Sequence, residues 1–246
     1  MNNSGGVMHK LSTAILMISI FMIPSMLSAQ PKMEFQHSYF DFGYAPQNAE
    51  LYHDFWLKSA GDKELVINNI KTGCSCTRAP LEKDVIAPGD SARLKIIFST
   101  GRYKGRTFKR PIIETNEGSD RRQLTIIAQI LTDQDSMFPL AVEPLMLEFM
   151  IDSDNSKRVK EMRITNVSDQ DFELNLVESP ENLLSIEFPE SIPAGRTAVA
   201  VVRLTDKALS SEFKNSFTFE LNDEDQTRYT VGIAGRLGTP TLKMNY

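Results

Sequence analysis

The 246 residues are 41% hydrophobic and 24% charged. That is a globular composition with room for one large domain or two ordinary ones, and it excludes a disordered chain. The net charge of −5 is unevenly placed: residues 34–133 hold 14 Lys+Arg against 13 Asp+Glu, and residues 134–246 hold 11 against 19. An acidic chain without a dominant basic face argues against general nucleic-acid binding, whose affinity comes largely from neutralising phosphates.

The first element in chain order is a signal peptide over residues 1–29. Lys10 supplies a short positive region, residues 14–23 an apolar run too short to span a bilayer, and Pro24 a helix break. Ala29 offers a small residue for cleavage, although Leu27 is large for its place and Met8 is a second possible start. No later stretch is apolar enough for a membrane span. The expectation is therefore a mature protein that is periplasmic or secreted. Six of the eleven Met fall in the first 33 residues, and the other five form no cluster, so Met reads as core filler and not as a copper-binding run.

From residue 34 onward the chain alternates apolar and polar residues, bounded by Gly, Pro, Asn and Asp, with no sustained helical period. This predicts an all-β protein. Residues 65–70, 94–98, 199–204 and 217–221 are the clearest strands; in residues 55–57 either face of the strand at Trp56 suits a core. The chain also repeats itself. Residues 55–62 align with 162–169 at an offset of 107, while 86–90, 113–116 and 127–129 align with 192–196, 219–222 and 233–235 at 106. Two copies of one domain follow, each with roughly seven strand signals. The expected architecture is two tandem immunoglobulin-like β-sandwich domains after the signal peptide, over residues 30–133 and 134–246. Residues 132–136 form a short polar linker, so the domains are expected to touch.

The first domain carries a set of landmarks in order. Phe-Asp-Phe-Gly at 40–43 precedes Ser-Ala-Gly-Asp at 59–62, then residues 65–70 run into Gly-Cys-Ser-Cys-Thr at 73–77. Ile-Ala-Pro-Gly-Asp at 86–90 follows, then Phe98, Gly105, Lys109 and Thr115-Asn116. Over about residues 34–130 this resembles the bacterial immunoglobulin-like family catalogued as domain of unknown function 1573, whose usual Cys-Gly-Cys is here Cys74-Ser75-Cys76. The second domain looks like a diverged copy without cysteines. The resemblance implies the fold and an exported envelope location, and no activity.

Cys74 and Cys76 are the only cysteines. In an extended strand they share a face with Cα atoms about 6.5–7 Å apart, at or beyond disulfide reach, so a bond needs a tight bend that Gly73 and Ser75 allow. Such a bond is expected to be strained and readily reduced. Four readings stay open: part-buried structural thiols, a local disulfide, two thiolates holding Cu(I), and thiol exchange with a partner. A closed zinc site is disfavoured, because only His37 and His53 accompany the thiols in the mature chain.

Arg102, Lys104, Arg106, Lys109 and Arg110 make a basic, partly aromatic stretch in an acidic protein. It reads as an edge strand protected by charge, or as a patch for an anionic partner. No nucleophile elbow or phosphate loop is present, and Glu82 and Asp84 read as a solvated loop. The expected function is a non-catalytic binding or scaffold protein of the bacterial cell envelope, without cofactor, whose partner is an envelope protein or glycan. The competing expectation is a thiol-redox or Cu(I)-binding protein working through Cys74 and Cys76.

Overall fold

The computed structural model describes residues 29–118, 121–132, 137–151 and 158–237. The expected signal peptide and most of the expected linker lie outside the described residues. The first half carries β1 (Met33–Phe35), β2 (Tyr39–Pro46), β3 (Glu50–Ser59), β4 (Leu65–Lys71), β5 (Thr77–Arg78) and β6 (Val85–Ile86). It continues through β7 (Ser91–Ser99), β8 (Gly105–Lys109), β9 (Ile112–Thr115), β10 (Arg122–Gln123) and β11 (Thr125–Leu131). The second half carries β12 (Leu140–Glu143), β13 (Met146–Ile151), β14 (Val159–Asn166) and β15 (Leu174–Glu178). After these come β16 (Leu184–Glu187), β17 (Thr197–Leu204), β18 (Phe213–Leu221) and β19 (Arg228–Leu237). The protein is all-β, as the alternation predicts.

In the first half, a sheet ordered β1-β3-β7-β5 packs on a second layer made of β10-β9-β4-β6 and of β2, β11 and β8. Pro111 lies between β8 and β9 and has no N–H to donate, and there the chain leaves β11 to pair with β4. The core takes one face of each strand. Phe55 and Leu57 are buried while Trp56 between them is 43% exposed, which settles which face of that strand is core. Leu94, Ile96 and Phe98 meet Phe40, Phe42, Ile126 and Ile130 from the opposite layer. Burying one such side chain contributes about 1.5–3 kcal/mol.

The second half sets β12-β14-β17-β16 against β15, β18, β19 and β13 around its own core, which includes Phe149, Phe217, Phe219 and Tyr229. Strand order recurs between the halves. The series β1-β3-β7 matches β12-β14-β17, and β2 lies parallel to β11 as β13 lies parallel to β19.

The halves do more than touch. Tyr44 of β2 pairs in parallel with Tyr229 of β19, which joins the outer layers into one sheet ordered β15-β18-β19-β2-β11-β8. Gly43 makes this approach possible: its φ is +63°, and a Cβ there would overlap the backbone carbonyl of Arg228. The hydroxyl of Thr230 donates to the carbonyl of Phe42 at 2.6 Å, and the Tyr52 N–H donates to the hydroxyl of Ser216 at 3.0 Å. Because the first half covers its second face, β18 buries Ser216 and Thr218 as well as Phe217 and Phe219.

Candidate functional site

Cys74 and Cys76 lie in the loop between β4 and β5, at one rim of the first sandwich. Gly73 takes a φ of +80°, a left-handed value open to glycine, and bends the chain so that the two Cα atoms stand 5.2 Å apart. The sulfurs are joined in a disulfide, so of the four readings the oxidised local pair is the one the structure holds. In this state neither sulfur is a thiolate available to Cu(I). The two sulfurs differ in setting. Cys76 packs against the core and its carbonyl accepts the Ser99 N–H at 2.8 Å, while Cys74 stands between exposed Gly73 and Ser75. The hydroxyl of Thr77 lies 3.6 Å from Sγ of Cys74 and 3.7 Å from Sγ of Cys76.

The basic stretch divides into two groups. Arg106, Phe108 and Arg110 belong to β8 and the residue after it, with both guanidinium carbons 5.5–5.6 Å from the Phe108 ring centroid. Strand β8 ends the joined sheet, and Phe108 is 43% exposed. Tyr103 and Lys109 turn instead toward the disulfide. The Lys109 ammonium lies 4.0 Å from the Tyr103 ring centroid, and the Tyr103 hydroxyl donates to Sγ of Cys76 at 3.5 Å. Arg102 and Lys104 flank Tyr103 and are exposed. Among the described residues no carboxylate forms an ion pair with Arg102, Lys104, Arg106 or Arg110.

The junction of the halves holds a cleft of about 930 Å³ whose lining includes Tyr39, Asp41, Arg106, Gln129, Asp225 and Arg228. At its floor Phe40 is stacked on His53 at 3.6 Å and carries the Arg228 guanidinium at 5.0 Å. Arg228 pairs with Glu220 at 2.9 Å and donates to the Asp41 carbonyl, while Nδ1 of His53 meets Glu178 at 2.5 Å. Sequence reasoning expected the domains to touch but missed this cleft and the residues that meet in it. A signal existed in His53, a titratable residue in the same core-facing register as Leu51, Phe55 and Leu57. Its partner is 125 residues away, beyond any sequence spacing. His37 also lines the cleft. Among the described residues no group of three or more His, Cys, Asp or Glu side chains converges as a metal site, and no helix is long and apolar enough to cross a membrane. Glu82 and Asp84 are exposed, and Glu82 accepts the Arg93 N–H.

Residues 33–130 match the model of the protein family of unknown function DUF1573, the family that the landmarks from Phe40 to Asn116 resemble. No curated protein matches the chain by sequence. Among solved structures, a protein of unknown function from Porphyromonas gingivalis W83 is similar at 9% identity, with 83% of this chain and 99% of that one covered and a TM-score of 0.35. The secreted serine protease VesC from Vibrio cholerae is similar at 11% identity over 85% of this chain and 50% of that one, with a TM-score of 0.34. The CupB2 chaperone of Pseudomonas aeruginosa is similar at 9% identity over 81% and 98%, with a TM-score of 0.29. At these scores the similarities carry no statement about partner or activity.

Proposed function

We propose that this protein is an exported, non-catalytic binding or scaffold module of the bacterial cell envelope, cleaved near Ala29 and built of two sandwich domains from one duplicated unit. The observation that carries the binding role is the outer edge of β8. It is the terminal strand of a sheet that runs through both halves, and it presents an exposed Phe108 between Arg106 and Arg110. An edge strand offers main-chain hydrogen bonds to an added strand, and its side chains choose the partner. Two arginines on the edge disfavour pairing with a second copy and favour an acidic segment. The partner is therefore an acidic stretch of an envelope protein.

The charged groups in the junction cleft support a structural role over a catalytic one. His53 with Glu178, and Arg228 with the Asp41 carbonyl, already spend hydrogen bonds in holding the halves together, while Glu220 of neighbouring β18 fixes Arg228 in place. Cu(I) capture through Cys74 and Cys76 is the competing reading and needs the pair reduced first.

Photo-crosslinking in cells tests the edge. A crosslinker placed at residue 108 gives a discrete adduct with one envelope protein, and one placed at exposed Val199 on β17 does not. Adducts alike from both positions, or none from residue 108, contradict the proposal.

A further inference from the structure

We propose that the Cys74–Cys76 disulfide is an exchange site for an anionic thiol, attacked at Cys74 with Cys76 as the leaving sulfur. Two independent observations set this polarity. Both residues are half-buried, but Cys74 stands between exposed Gly73 and Ser75 whereas Cys76 packs on the core, so Cys74 is the sulfur with the more open flank. Leaving-group stability points the same way. The Tyr103 hydroxyl donates to Sγ of Cys76, and the Lys109 ammonium on the Tyr103 ring polarises that hydroxyl, so negative charge arising on Cys76 is met by a donor already in place. Among the described residues the sulfur of Cys74 meets the Thr77 hydroxyl, which it shares with Cys76.

The step balances as thiol–disulfide exchange. A substrate thiolate forms a bond to Sγ of Cys74 while the Cys74–Cys76 bond breaks and leaves its electron pair on Cys76. A second substrate thiolate then attacks the substrate sulfur of the mixed disulfide and releases Cys74. The substrate dithiol is oxidised to its disulfide, the protein pair is reduced by two electrons, and the two substrate protons pass to the two cysteines. Arg102 and Lys104, exposed on either side of Tyr103, make the approach positive, which favours a thiol carried on an acidic peptide. This inference rests on the disulfide and its contacts and is independent of the β8 edge. It also joins two features that the sequence presents separately, the cysteine pair and the basic stretch.

The test uses the full mature chain with glutathione, an anionic thiol, as the probe. Acid-quenched peptide mapping places the mixed disulfide on Cys74, with Cys76 as the free thiol. Tyr103→Phe keeps the ring and slows reduction about tenfold, the scale of losing one hydrogen bond to a developing charge. Lys109→Gln slows it in the same direction. The rate ratio of glutathione to cationic cysteamine falls when Arg102 and Lys104 are both changed to Glu. Glutathione on Cys76, an unchanged rate in Tyr103→Phe, or no reduction at millimolar glutathione overturns the inference.

Discussion

Glu117 shows how a single carboxylate is held in this fold. Burial pushes its carboxyl up, and the Arg122 guanidinium, the Met33 N–H and the Thr115 hydroxyl outweigh that burial and hold it below the usual carboxylate range. A carboxyl lowered on folding contributes stability above its unfolded value, and that contribution is lost as pH falls through the folded value. Glu117→Gln therefore lowers the urea midpoint at pH 7, and the gap to the parent narrows below about pH 4.5, the ordinary value for Glu. Midpoints measured from pH 7 to pH 3 check this; a gap that stays constant with pH contradicts it. Nothing in the sequence marks Glu117, because its partners Met33, Thr115 and Arg122 meet only when β1 and β9 are in place. The cysteine pair was legible as a pair, and the bend at Gly73 made a disulfide feasible. Its contact with Tyr103 was not legible, since that depends on how the β7–β8 loop folds back to the rim.

At the scale of the strand, alternation was an effective guide wherever one face is solvated. Residues 94–98 and 217–221 are strands as expected. It was silent where a strand is covered on both faces. The strand at 217–221 alternates Phe and Thr, which reads as half-exposed, yet Thr218 is fully buried and meets the Thr230 hydroxyl at 2.8 Å. The cause is the seam between β2 and β19, where Gly43 lies directly against the Arg228 backbone. Gly43→Ala places a methyl group against the Arg228 backbone at a left-handed φ and costs at least the ~1–3 kcal/mol of such strain, because neither backbone can yield without breaking the pairing. Denaturant unfolding is expected to show one transition for the parent and, for the variant, this loss together with a split into two. A substitution that leaves midpoint and cooperativity unchanged would mean that the halves are not coupled through this seam.

Over the whole molecule, the spacing of 106–107 residues foretold two sandwiches, and the strand order recurs between them. That the outer layers would fuse into one sheet was not written in any local pattern, because each strand end looks the same whether it faces water or another domain. The fusion matters for function. It extends the sheet that ends at β8 across both halves, while the disulfide rim stays with the first half, whose strands β7 and β8 flank the Tyr103 loop. The export proposal and the state of the cysteines meet in one quantity, the intact mass of the protein recovered from cells, with and without thiol alkylation. An envelope protein with its pair closed begins near residue 30, weighs two mass units less than the reduced chain, and takes up no alkylating agent. A chain that retains its first 29 residues and carries two alkyl groups contradicts both the exported location and the resting disulfide.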